Sequence, residues 1–211
     1  MRAEELRRSS SASSGGEGGM RRTNYLRDMS APGIFYTLHP NLLIGLYRAM
    51  DVFWTLRARD ARRSGEEIGF YEFGLFQGFS FWYANNLAYE MGMSMEFHGF
   101  DSFQGLPPSE VDIHRNWAPG NYACSLEQVQ DSLTKWGMPL KFHLHRGWYS
   151  KQLFSTVAKR HALPVAGIAL IDCDLYESAR EVLSFLETLM AKNTILMFDD
   201  YNAFGGDSNH G

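Results

Sequence analysis

Two pairs of aspartates each close a short apolar run: IALIDCD ends in Asp172 and Asp174, and TILMFDD ends in Asp199 and Asp200. Carboxylates brought together repel one another unless a cation joins them, and an oxygen-only donor set favours a hard ion, Mg²⁺ ahead of Ca²⁺ or Mn²⁺. A hydroxyl held by such an ion is acidified and fixed in direction, so the cluster suits activation of an oxygen nucleophile, with Asp172 as the carboxylate that accepts the proton. Aspartate is also a favoured helix N-cap, which is the competing explanation for one member of each pair.

A second group of candidates lies upstream in YEFGLFQGFS, where Glu72 ends an apolar run and Gly74, Gly78 and Ser80 follow. Glycines there let the backbone turn sharply and approach a ligand, and the next helix offers free amides at its start. The spacing is G-x-x-x-G, whereas a dinucleotide fingerprint needs G-x-G-x-x-G. A pyrophosphate wants helix-terminal amides, but a sulfonium cofactor brings a cation and an amino-acid moiety, which Glu72 suits better. Asp101, in FHGFDSFQGLP, is an acid at a strand end that can accept hydrogen bonds from two ribose hydroxyls; its alternative is a turn or cap residue. Among the histidines, His114 lies in a loop and is an alternative base, His98 and His143 read as core or surface residues within strands, and the role of His145 stays open. Cys173, between two aspartates, reads as a small buried side chain.

The elements that must position these groups follow from periodicity. Apolar residues at spacings of three and four predict an amphipathic helix over 41–62, and its basic end opposes the helix dipole. Strands are predicted over 68–73, 95–100, 140–145, 165–171 and 194–198, and helices over 81–91, 151–161 and 177–190. Such alternation means a parallel, doubly wound α/β sheet whose strand carboxyl ends form the ligand edge. All the acids named above fall at that edge. The stretch 102–128, with Pro107, Pro108 and Pro119, is too long for an ordinary connection and reads as a functional lid.

The 211 residues suffice for one α/β domain, and 45% hydrophobic with 14% aromatic content is globular. Residues 1–22 are rich in Ser, Gly and Arg and read as a disordered tail, 23–66 as an N-terminal helical segment and 67–211 as the main domain. The first 63 residues carry 11 basic and 6 acidic groups, the remainder 9 and 18. An acidic body of this kind argues against nucleic acid. Two cysteines make no disulfide framework, and no apolar run is long enough to span a bilayer, so a cytoplasmic protein with no membrane partner is expected. The aromatic-rich first helix could cover a subunit boundary in a homo-oligomer.

Taken in order, EFGLFQGFS, GFDSFQGLP, WAPGNY, RGWYS, IDCDLYES and FDDY resemble the macrocin O-methyltransferase family, class I S-adenosylmethionine-dependent enzymes that methylate sugar hydroxyls of macrolides. The resemblance runs from about residue 68 to the end of the chain. It implies a Rossmann-like methyltransferase fold and Mg²⁺-dependent transfer to a hydroxyl of a sugar or other small-molecule acceptor. Carried over by position, Glu72, Gly74 and Ser80 lie around the methionine portion of the cofactor and Asp101 at its ribose. Gly147 and Trp148 lie near the adenine; Gly78, Ser102 and Asp172 complete the cofactor set. Asp172, Asp199 and Asp200 surround the metal, with Asp174 beside them. Class I sheets normally continue past the fifth strand with a helix and two more strands, and only ten residues follow Tyr201. The final strands are therefore expected to be missing, leaving the fifth strand at an open edge and this form less stable or less active than a longer one. A dinucleotide-dependent oxidoreductase and a non-catalytic cofactor-binding protein are the competing readings.

Overall fold

The computed structural model describes residues 40–59, 66–110 and 117–199. The tail expected over 1–22, together with His114, Asp200 and Tyr201, lies outside the described residues. Helix α1 (Pro40–Arg59) buries Leu46, Ala49, Met50 and Phe53, the i, i+3, i+4, i+7 stripe that its sequence spells. Strands β1 (Ile68–Phe73), β2 (Glu96–Asp101), β3 (Phe142–Arg146), β4 (Val165–Ile171) and β5 (Met190–Phe198) make one sheet in the order β3-β2-β1-β4-β5. Every neighbouring pair is parallel. β1 is buried along its whole length, as its unbroken apolar character requires of a strand covered on both faces.

Helices α2 (Phe79–Glu90), α3 (Leu126–Trp136), α4 (Lys151–Arg160) and α5 (Tyr176–Leu186) complete the layers. One core joins α1, α2 and α3 to the sheet face carrying Phe70, Phe97, Ile168 and Leu170. The other joins α4 and α5 to the face carrying Tyr71, Phe73, Phe100 and Ile171. Strand alternation thus divides β1 between the two cores. The doubly wound α/β reading holds.

Three local features depart from the expected elements. α3 occupies residues read from sequence as lid and unassigned connection; Ser125 accepts from Gln128 N–H at 3.2 Å while Gln128 Oε1 accepts from Ser125 N–H at 3.0 Å, a capping box. The helix expected to reach residue 190 stops at Leu186, and β5 begins at Met190. Within β4, Ala166 and Ile168 pair with consecutive residues Gly69 and Phe70, so Gly167 is an extra, bulged residue. A Cβ there would stand 2.5 Å from Ile68 and 2.7 Å from the Phe53 ring, so the bulge gives α1 its seat.

His98 and His145 are both buried, and their rings lie parallel with Nδ1 and Nε2 3.0 Å apart, sharing one hydrogen bond. His143 and His161 pack against them, and Tyr71 stacks on His98. Among the described residues no helix is long and apolar enough to cross a membrane.

Candidate active site

Parallel strands in register bring their successors into register too. Phe73 pairs with Phe100 on one side and Ile171 on the other, and Ile171 pairs with Phe198. The residues that follow, Asp101, Gly74, Asp172 and Asp199, therefore stand in one row along the carboxyl edge, with strands about 4.8 Å apart. Backbone bonds extend the ladder into the row: Gly74 N–H donates to Phe100 O at 3.0 Å, Asp172 N–H to Phe73 O at 2.9 Å and Asp199 N–H to Ile171 O at 3.2 Å. Strand order reverses between β1 and β4, the crevice where open α/β sheets take their ligands.

Gly74 occupies the middle of that crevice. Its φ is +94°, and a Cβ would stand 1.7 Å from the Asp172 carbonyl oxygen, so only glycine fits. The row consequently carries carboxylates on either side of a position with no side chain. Gly78 is the left-handed N-cap of α2, and a Cβ there would meet Val129 of α3 at 3.0 Å.

Glu72 lies inward from the row and is fully buried. Ser80 Oγ donates to its Oε1 at 2.5 Å, while Oε2 has no hydrogen-bond partner among the described residues. Burial raises its carboxyl to about 8, Asp101 and Asp199 push it further in the same direction, and the Ser80 hydrogen bond opposes them. A polar atom with no partner this deep is where a ligand atom belongs.

Asp101 ties two loops together. Its Oδ2 accepts from Leu75 N–H at 2.7 Å and Phe76 N–H at 3.3 Å, and its Oδ1 from Phe103 N–H at 2.6 Å. These are the contacts of a turn residue, and ribose hydroxyls would have to share the carboxylate with them. Ser102, also buried, spends its hydroxyl locally, donating to Gly105 O at 2.8 Å and accepting from Gln104 N–H at 3.0 Å.

The long connection after β2 is pinched at its base. Leu106 N–H donates to Asn121 O at 3.0 Å and Gly120 N–H to Leu106 O at 2.9 Å. Gly105 permits this approach, since a Cβ would lie 2.5 Å from Asn121 O. Beyond the neck, Ser109 donates to Glu177 Oε2 in the first turn of α5 at 3.1 Å. His114, the alternative base, falls outside the described part of this loop.

At the third strand, Gly147 N–H donates to Asp101 O at 2.9 Å, and Trp148 is exposed. Tyr149, which sequence reasoning passed over, donates its hydroxyl to Phe100 O at 3.1 Å. Burial first, then Cys173, Asp101, Asp172 and Asp174, raise its phenol well above the ordinary value, so it stays protonated under the acidic row. Its signal in the sequence was its place within RGWYS, beside the two residues that were singled out. Asp174 itself has φ +60°, and Leu175 N–H reaches back to Cys173 O at 2.6 Å, a strained three-residue turn.

The aspartates expected to hold a metal are only partly in view. Asp172 and Asp199 share the row, and Asp200 lies outside the described residues. Among the described residues, no three His, Cys, Asp or Glu side chains are arranged to hold a metal ion.

Known proteins place this fold. A structure of the calicheamicin methyltransferase CalS11 matches with TM-score 0.60 at 21% identity, over 81% of this chain and 69% of that one. The O-methyltransferase NovP matches with TM-score 0.59 at 17% identity, over 79% and 72%. At such identities the likeness is one of fold. No curated protein sequence matches significantly. The sequence profile of the macrocin-O-methyltransferase family, TylF, matches residues 57–209, from the end of α1 through all five strands. With that match across most of its length, on a sheet whose carboxyl edge carries the motifs in order, this chain belongs to the macrocin O-methyltransferase family and is an O-methyltransferase.

Proposed function

We propose that the protein transfers a methyl group from S-adenosylmethionine to a hydroxyl of a sugar or sugar-bearing small molecule, with Mg²⁺ at the acceptor. The observation that carries this reading is the gap at Gly74, flanked in register by Asp101 on one side and Asp172 on the other. A cofactor laid across the gap would have its ribose toward Asp101 and its amino-acid end toward Glu72 and Ser80. Gly147 and Trp148 would border the adenine. The unpartnered Glu72 Oε2 fits a ligand that brings a cationic ammonium. CalS11 is described as a TDP-rhamnose 3'-O-methyltransferase, which supports a sugar hydroxyl as acceptor class here.

The chemistry needs alignment more than covalent help. Methyl transfer is an in-line displacement, so the residues of the row act chiefly by holding donor and acceptor in line, an effect of about 7–11 kcal/mol in favourable cases. Asp172, across the gap from Asp101, would face the acceptor and take the hydroxyl proton on its carboxylate. The oxygen donors Asp172, Asp199 and Asp200, with Asp174, suit Mg²⁺, which when bound would acidify and orient that hydroxyl.

Calorimetric titration with S-adenosylhomocysteine, followed by a screen of sugar acceptors with labelled cofactor, tests the proposal. Binding is expected, with methyl transfer abolished by EDTA and restored by Mg²⁺. Asp172→Asn should lower kcat by about 100-fold or more. Absence of binding would refute the reading as a whole, and transfer indifferent to EDTA would remove the metal from it.

A further inference from the structure

Glu72 is buried more deeply than any other described carboxylate at the ligand edge. It is 0% exposed, it receives one hydrogen bond, from Ser80, and its second oxygen has no partner among the described residues. The charged groups acting on it from neighbouring strand ends, Asp101 closing β2 and Asp199 after β5, are both acids. A carboxylate in that position would be a desolvated charge with one donor and two like charges beside it, a far costlier state than a neutral acid with one idle oxygen. A cation placed at Oε2 inverts the balance, because it supplies both the missing donor and the missing countercharge.

Resting on the methyltransferase reading, we propose that Glu72 is a neutral carboxylic acid in the cofactor-free enzyme and ionises when the cofactor's ammonium arrives, making cofactor binding proton-linked. The proton on Oε2 leaves to solvent, the ammonium N–H takes its place, and Ser80 keeps donating to Oε1 throughout. Ser80 is thereby a positioning residue: by occupying Oε1 it leaves Oε2 as the oxygen that exchanges a proton for the ligand.

The consequence is quantitative. Below the carboxyl's raised value of about 8, each unit of falling pH should weaken cofactor binding about tenfold, and above roughly 8, where the ligand's own α-amino group loses its proton, affinity should fall again. Without ligand the sign reverses. The folded protein keeps the proton up to about 8 while the unfolded chain loses it near 4.5, so Glu72 costs the free protein stability progressively as pH rises between the two.

The test is titration calorimetry with S-adenosylhomocysteine in EDTA, in buffers of differing ionisation enthalpy, at about pH 6 and about pH 7, below the α-amino pKa of roughly 7.7–8. The expected result is release of about one proton per ligand bound. In Glu72→Gln, proton release and the pH slope of the affinity should both disappear. The melting temperature of that variant without ligand should exceed the wild-type value by a margin that grows toward pH 8. Binding with no proton release, or release that persists in Glu72→Gln, would overturn the proposal while leaving the methyltransferase reading intact. Failure to bind at any pH would overturn both.

Discussion

Replacing Gly74 by alanine sets a methyl carbon where the Asp172 carbonyl already stands, since the distance would be 1.7 Å at a φ of +94°. Neither partner can retreat, because Gly74 N–H and Asp172 N–H are both bonded into the extended ladder. We expect Gly74→Ala to cost about 3 kcal/mol or more in urea unfolding and to abolish S-adenosylhomocysteine binding. A loss under about 1 kcal/mol with binding retained would show that the crevice relaxes. Much of this was readable from residue types: an acid closing each of several apolar runs predicts an acidic strand edge before any coordinates exist. Asp101 was harder. Its two readings, ribose acceptor and turn residue, use the same carboxylate, and the structure shows three loop amides already on it. Tyr149 had only its place within RGWYS to announce it, because its importance comes from acids far away in the chain.

At the scale of elements, α3 is the instructive case. Its Ser125-x-x-Gln128 start and the apolar series Leu126, Val129, Leu133, Trp136 are a complete helix signature, yet the prolines and glycines just upstream extended the apparent loop over it. Ser125→Ala should destabilise the protein by about 1 kcal/mol, read as a shift in the urea midpoint at unchanged slope. The effect should reach the site, since Val129 and Leu133 pack against Gly78 at the start of α2. Strands were legible nearly to the residue because continuous burial leaves continuous apolar runs, β1 and β4 above all. The irregular start of β5 was not, because there Met190 pairs with Ala166 while the next paired residue, Ile195, meets Ile168. What intervenes is held by Thr194 Oγ1, which accepts from Ala191 N–H at 2.9 Å and donates to Ala166 O at 2.6 Å, and no hydrophobic pattern announces such a clasp.

For the whole molecule, acid is the condition that should act first. His98 and His145 titrate at about 3 in the folded protein, lowered by burial and then by neighbouring imidazoles, against 6.5 in the unfolded chain. The unfolded state therefore binds more protons below 6.5, and stability falls as pH drops through that range toward 3. Calorimetric melting temperatures across this interval should decline steeply, and more gently in His98→Phe, which keeps a ring against Tyr71 but has no site to protonate; equal slopes would exclude His98 as a cause. At the carboxyl edge of the sheet, the pinch at Leu106 and Asn121 gives the protein a modular joint. Loop-closure entropy rises slowly with length, roughly 0.6 kcal/mol for a doubling, and here the ends are already fastened to each other. Between Ser109, which bonds Glu177, and the buried Trp117, the chain can change length at little thermodynamic cost, while Asp101, Gly105 and the crevice behind them keep their places. Under the proposed function, grafting this stretch from another O-methyltransferase is expected to change the acceptor used while leaving S-adenosylhomocysteine affinity unchanged, as titration calorimetry would read.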